Sequence, residues 1–154
     1  MKNQRNTSIL IVCMGNICRS PTAEAVLKSK AADMGKKVEI DSAGTIAYHQ
    51  GNPPDTRARI AGEKRGYSFD NIFARQVTDK DYEYFDMILA ADRDNLDDLR
   101  SMCPQRYQPK LSLFLSHGHS NYEEIPDPYY GGNQGFELVL DLIEDAAESI
   151  LRKV

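Results

Sequence analysis

Cys13 and Arg19 stand six positions apart in Cys13-Met14-Gly15-Asn16-Ile17-Cys18-Arg19-Ser20. A cysteine thiolate is a strong nucleophile at neutral pH. A guanidinium fork can hold two oxygens of one phosphate, which a lysine point charge cannot do. The spacing alone is weak evidence: three cysteines and ten arginines in 154 residues meet at this interval by chance in about one such chain in five. The context adds weight. The buried-strand pattern Ile9-Leu10-Ile11-Val12 precedes the pair, Gly15 lies between its members, and Ser20-Pro21 follows as a helix start, serine as N-cap and proline at the first helical position. A tight loop between a strand and a helix turns successive backbone N–H groups inward as an anion-binding nest. The helix end adds orphan donors and the positive end of its dipole. Gly15 lets the backbone approach an anion closely. The same positive surroundings favour thiolate at a cysteine. The chemistry expected is therefore nucleophilic attack by Cys13 on a phosphate clamped by Arg19 and the loop N–H groups.

The rest of the chain must position that loop. Ala23, Val26, Leu27, Ala31 and Met34 keep a helical period that Gly35 can end. Val38 to Asp41 reads as a second strand, and Ser42 to Pro54 as a loop punctuated by glycine and proline. Thr56 to Lys64 reads as a helix and Asp79 to Phe85 as a helical turn. Met87 to Ala90 reads as a third strand, and Asp92 to Met102 as a helix capped by Asp92 and ended by Pro104. Leu111 to Leu115 is a fourth strand candidate, residues 116–135 are turn-rich, and Phe136, Val139, Leu140, Ile143, Ala147 and Ile150 form a last helical stripe. Strands alternating with helices predict an α/β fold with a parallel sheet, as one domain over residues 1–154.

The bulk composition excludes several classes. Apolar residues make up 41% and charged residues 27%, with a net charge of −4, so no general electrostatic attraction to nucleic acid or anionic membrane is expected. The N-terminal apolar run is too short for a membrane span or signal core. Cys13, Cys18 and Cys103 do not suggest a disulfide framework, and a reducing cytoplasmic setting is the simplest expectation. His117-Gly118-His119 has no metal-ligand spacing with Cys103 and reads as a polar turn. Gly131-Gly132-Asn133-Gln134-Gly135 lacks the lysine and preceding strand of a phosphate cradle. Asp92, Asp94, Asp97 and Asp98 read as a solvated helix face.

Val12 to Pro21 closely resembles the phosphate loop of the low-molecular-weight protein tyrosine phosphatases. The resemblance continues through Asp41-Ser42-Ala43-Gly44, Ala74-Arg75-Gln76 and Asp127-Pro128-Tyr129-Tyr130. It implies a three-layer α/β sandwich with a four-stranded parallel sheet flanked by helices. It also implies a phosphocysteine intermediate on Cys13, with Arg19 on the equatorial oxygens and Asp127 as general acid and then base. Met14, Gly15, Asn16, Ile17, Cys18 and Ser20 would line the phosphate, Asn16 and Ser20 also orienting the loop and the thiolate. Tyr48 and Tyr130 would contact the substrate ring, with Tyr129 beside them. Asp92 matches a position that supports a pocket loop, a role that competes with its reading as an N-cap. Cys18 would trap oxidised Cys13 as a disulfide.

No metal or cofactor is expected, because Arg19 and the backbone donors supply the positive charge. The partner expected is a phosphotyrosine-containing protein, the chain being a monomer or weak homodimer. An acid that holds its proton while Cys13 has lost its own predicts a bell-shaped, mildly acidic activity profile. One departure stands out: relatives in vertebrates carry a histidine where this chain has Ile72, so the polar network under the loop should differ or be absent. The competing readings are a thiol-dependent arsenate reductase, which needs a further cysteine pair, and a phosphotyrosine-binding module without turnover.

Overall fold

The computed structural model describes residues 6–128 and 132–154. Strand β1 (Thr7–Cys13) is apolar without interruption from Ile9 to Cys13 because both of its faces are covered there. Ile9, Ile11 and Cys13 point into one apolar cluster, and Leu10 and Val12 into a second on the opposite face. All four aliphatic side chains from Ile9 to Val12 are inaccessible to solvent, each contributing about 1.5–3 kcal/mol by burial. On the first face lie α1 (Arg19–Asp33), α2 (Thr56–Lys64) and α5 (Gly132–Arg152). On the second lie α3 (Asp79–Tyr84) and α4 (Arg93–Met102). Between these layers runs a four-stranded sheet, ordered β2 (Val38–Gly44), β1, β3 (Met87–Ala90), β4 (Leu111–Leu113), with every pairing parallel. The three-layer architecture expected from the resemblance is thus the one found.

The strand order reverses direction at β1, with β2 on one side and β3 on the other. In open parallel sheets a crevice forms at such a switch point, outside the carboxyl ends of the strands. Cys13 is the last residue of β1, so the crevice and the candidate nucleophile coincide.

Four boundaries differ from the sequence reading. Ser42 to Gly44 extend β2, pairing with Ile11 to Cys13, where glycine punctuation suggested loop. Helix α1 begins at Arg19 with Cys18 as N-cap and no side-chain cap bond. Ser20 is therefore inside the helix, its hydroxyl engaged by Cys13 instead. The fourth strand stops at Leu113 and continues as a 3₁₀ turn, Phe114–His117, which buries Phe114 and Leu115. Helix α5 also starts four residues ahead of its apolar stripe. The other ends follow local chemistry. Gly35 takes the left-handed conformation (φ 67°) just past α1. Asp55 accepts from Arg57 N and Ala58 N to cap α2, and Asp92 accepts from Asn95 N to cap α4.

Gly44 shows how closely the sheet presses on the Cys13 loop. A Cβ there would lie 2.7 Å from Met14 O, 3.1 Å from Ile46 O and 3.3 Å from Asn16 Cβ. Two of those atoms are backbone and cannot rotate away. Gly44→Ala is expected to lower unfolding stability by about 1–3 kcal/mol, as overpacking does; urea denaturation reading no loss would mean that the loop yields freely.

Candidate active site

Leaving β1, the chain turns over Met14, Gly15 and Asn16 before entering α1. Asn16 makes the turn with φ 56°, a left-handed conformation that asparagine tolerates better than other non-glycine residues. Gly15 leaves room for a neighbour: a Cβ on it would meet His49 Cδ2 at 3.0 Å. The loop is tied to the segment after β2 by Thr45 N to Cys13 O (3.0 Å) and Ile46 N to Met14 O (3.2 Å), and to α2 by Asp55 N to Ile17 O (2.7 Å).

Cys13 is 3% exposed, and its Sγ lies 3.0 Å from Ser20 Oγ and 3.3 Å from Asn16 N. The orientation of the Asn16 amide can be assigned. Arg75 N donates to Asn16 Oδ1 (3.0 Å), which makes the Asn16 nitrogen the donor to both Ser20 Oγ (2.8 Å) and Ser42 Oγ (3.0 Å). Ser20 therefore receives a hydrogen bond from Asn16, and when the sulfur is a thiolate the proton between Ser20 Oγ and Cys13 Sγ is the serine's. Ser20 Oγ and Asn16 N thus converge on Cys13 Sγ. Beneath them, Ser42 Oγ donates to Glu24 Oε1 (2.6 Å). A polar network lies under the loop in this chain, where position 72 is isoleucine. Ile72 is buried in the apolar core, and the backbone of Arg75 serves Asn16.

Arg19 enters from the first turn of α1 and is 9% exposed. Its Nη1 donates to Asp92 Oδ2 (2.8 Å) and Ile125 O (3.0 Å), so one of the three guanidinium nitrogens fixes the side chain. Burial works against the Arg19 charge, but Cys13 and Asp92 outweigh it and hold the pKa above its ordinary value. Asp92 performs both of the roles weighed for it, Oδ1 capping α4 at Asn95 N (2.8 Å) and Oδ2 holding Arg19. Asn95, 3% exposed, joins this junction. With its amide oriented by its partners, the nitrogen donates to Asp92 Oδ1 (2.9 Å) and the oxygen accepts from Met14 N (3.3 Å).

A cavity of about 120 Å³ is lined by Cys13, Met14, Gly15, Ile17, Cys18, Arg19, His49 and Asp127. Asp127 is brought to the same cavity as Cys13 and Arg19 from more than a hundred residues away in sequence. Met14, Arg19 and Asp127 also line a neighbouring cleft of about 680 Å³ between the start of α4 and residues 121–127. Tyr48 is 83% exposed and lies outside the cavity lining. Its ring meets that of His49 edge-on at 4.8 Å, and His49 forms part of the wall. Tyr129 and Tyr130 lie outside the described residues.

Cys18 is half-buried and lines the same cavity as Cys13. Burial, reinforced by Asp55, Cys13 and Asp127, pushes its thiol pKa up to about 12. Cys103 is buried on the other face of the sheet, its Sγ donating to Pro104 O at 3.4 Å. It is therefore not placed to relay a disulfide from the loop. Among the described residues no group of three or more His, Cys, Asp or Glu could hold a metal ion. His117 instead meets Ser112 Oγ and Lys153 Nζ.

Sequence reasoning missed Glu24, His49 and Asn95, and gave Ser42 no role. Only Glu24 left a signal, a carboxylate inside the apolar run Ala23 to Leu27 of a helix.

Comparison with known proteins agrees with this geometry. Residues 8–154 match the family model described as low molecular weight phosphotyrosine protein phosphatase. The low molecular weight protein-tyrosine-phosphatase YfkJ of Bacillus subtilis is 41% identical over 150 residues, covering 96% of this chain and 95% of the relative. The human low molecular weight phosphotyrosine protein phosphatase is 38% identical over 157 residues, covering 99% of each. The crystal structure of a protein tyrosine phosphatase from Entamoeba histolytica superposes with a TM-score of 0.92 at 43% identity, covering 96% of both chains. A family match across nearly the whole chain, with Cys13, Arg19 and Asp127 meeting at one cavity, places this chain in the low-molecular-weight phosphotyrosine protein phosphatase family.

Proposed function

We propose that this protein tyrosine phosphatase cleaves phosphotyrosine and other aryl phosphate esters through a phosphocysteine on Cys13. The observation that carries this reading is Cys13 Sγ, held by Ser20 Oγ and Asn16 N in a cavity that Arg19 and Asp127 share. The thiolate attacks phosphorus and the P–O bond to the aryl group breaks. Asp127 gives its proton to the departing phenolate. Water then attacks the phosphocysteine, Asp127 takes the proton back, and inorganic phosphate leaves as the thiolate reforms. Arg19 and the loop N–H groups hold the equatorial oxygens through both steps. The Asp92 and Ile125 contacts fix the guanidinium by one nitrogen, leaving the rest of the fork for phosphate. Met14, Gly15, Ile17 and Cys18 supply cavity wall and backbone donors. Tyr48, and Tyr130 beyond the described residues, would flank the substrate ring at the mouth and favour aryl over alkyl esters. The substrates in this reading are phosphotyrosine-bearing proteins of the cytoplasm. No helix among the described residues is long and apolar enough to cross a membrane.

Cys18 belongs to the same reading as a resolving thiol. Peroxide converts the Cys13 thiolate to sulfenic acid, and Cys18 sulfur displaces water from it to give a Cys13–Cys18 disulfide.

Hydrolysis of para-nitrophenyl phosphate in EDTA tests the mechanism. Wild type is expected to turn over with a bell-shaped, mildly acidic pH profile, Cys13→Ser to be inactive, and Asp127→Ala to lose about 10²–10⁴-fold. Turnover surviving in Cys13→Ser, or a wild type that is folded and reduced yet inert, would refute it. For Cys18, a thiol with a pKa of about 12 is ionised to only about one part in 10⁴ at pH 8. After peroxide, disulfide closure should therefore accelerate about tenfold per pH unit around neutrality, because the attacking thiolate does. Dithiothreitol should restore wild type but not Cys18→Ser. Equal recovery of both would remove Cys18 from the scheme.

A further inference from the structure

Glu24 is a buried charge that the chemistry above leaves unused. It lies on α1 among Ala23, Ala25, Val26 and Leu27, and is 3% exposed. Its Oε1 accepts from Ser42 Oγ at 2.6 Å, and its Oε2 receives Lys28 Nζ at 2.5 Å. Lys28 is one helical turn on, with a side chain 47% exposed, the order of acid before base that suits an i,i+4 pair.

Proton accounting shows what this pair does. Ser42 accepts from Asn16 Nδ2, so its own proton must leave toward Glu24. A carboxylate can take it. A carboxylic acid has a hydrogen of its own to place. On Oε2 that hydrogen abuts the Lys28 ammonium; on Oε1 it meets the Ser42 hydroxyl hydrogen. On Oε1 a buried hydrogen loses its acceptor; on Oε2 the ammonium itself opposes the proton. With the hydrogen on Oε1 the strain falls on Ser42 and Asn16, and Asn16 is the residue whose amide also bonds Ser20, the neighbour of Cys13.

We propose that Lys28 is a positioning residue of the phosphatase. Its ammonium keeps Glu24 ionised, and ionised Glu24 holds Ser42, Asn16 and Ser20 in the hydrogen-bond sense that delivers the Ser20 proton to Cys13. The charges facing Glu24 are Lys28 from its own helix and Asp41 from β2, with Arg75 beyond, paired to Asp41 at 3.0 Å. Burial raises the Glu24 pKa, Asp41 adds to that rise, and Lys28 and Ser42 oppose it. Removing Lys28 leaves burial and Asp41 to draw a proton onto Glu24 as the pH falls.

The inference rests on the phosphatase reading, so two readouts separate their failures. Lys28→Met keeps the aliphatic stem and removes the charge. The pH dependence of kcat/KM for para-nitrophenyl phosphate reports on catalysis; the ¹³C shift of the Glu24 carboxyl reports its titration directly. The expected result is a rise of about one pH unit in the Glu24 midpoint. The acid limb of kcat/KM should move with it, an approximately tenfold loss at the acidic end. Lys28→Arg should keep the wild-type limb. In a Glu24→Gln background, Lys28→Met should add nothing, as two changes acting through one group require. An unmoved Glu24 midpoint, superimposable profiles, or a Lys28→Met shift that survives in Glu24→Gln overturns the proposal. The titration and the Lys28 variants decide it even if Glu24→Gln fails to fold. If wild type hydrolyses no aryl phosphate, the phosphatase reading fails, while the Glu24 titration still decides whether Lys28 holds its charge.

Discussion

The structure depends on one line of buried hydrogen bonds: Cys13 Sγ to Ser20 Oγ, Ser20 to Asn16, Asn16 to Ser42, and Ser42 to Glu24. Asn16, Ser20, Ser42 and Glu24 are each at most 3% exposed, so none can turn to solvent for a replacement partner. Each unmade bond would cost about 1–3 kcal/mol, comparable to burying a whole aliphatic side chain. That cost explains why the loop has one shape. Asn16 accepts its left-handed backbone because its side chain is the junction of the line, with Arg75 N setting the amide orientation. The line joins β1, α1 and β2. The packing of those three elements is therefore also the positioning of the sulfur.

A second constraint sets where positive charge stands. The chain is net negative, at −4, so phosphate affinity must be local. In the proposed mechanism Arg19 supplies it from the first turn of α1, beside the helix N-terminus. A lone arginine on that turn would keep several rotamers. Asp92 and Ile125 O remove that freedom, and Asp92 is in turn fixed because its other oxygen caps α4. The second layer of helices thus reaches the site through Asp92 and Asn95, and the cap of α4 and the anchoring of Arg19 are parts of one arrangement.

Much of this was legible in the sequence where the signal is local. The aliphatic run of β1, the Cys13-to-Arg19 loop, the N-cap Asp92 and the Gly35 stop are short-range features with short-range causes. The misread boundaries share a different cause. Ser20-Pro21 has the form of a cap, but the Cys13 sulfur competes for the serine hydroxyl. Gly44 has the form of a loop residue, yet it is a strand end made small by the backbone pressing on it. Glu24, Ser42, His49 and Asn95 matter through partners distant in the chain, and no local pattern marks such contacts. Asp127 would read as an ordinary turn residue before Pro128; its place beside Cys13 and Arg19 follows only from the resemblance or the fold.

The central claim is that phosphate passes through Cys13 sulfur. Asp127→Ala makes this directly observable with para-nitrophenyl phosphate, whose leaving group needs little protonation, so the first step proceeds while the second lacks its base. Acid quenching during turnover, followed by mass spectrometry of the digested protein, is predicted to show a phosphoryl group on the peptide carrying Cys13. A phosphoryl group on another residue, or product formed with no covalent adduct at any time, would contradict the mechanism.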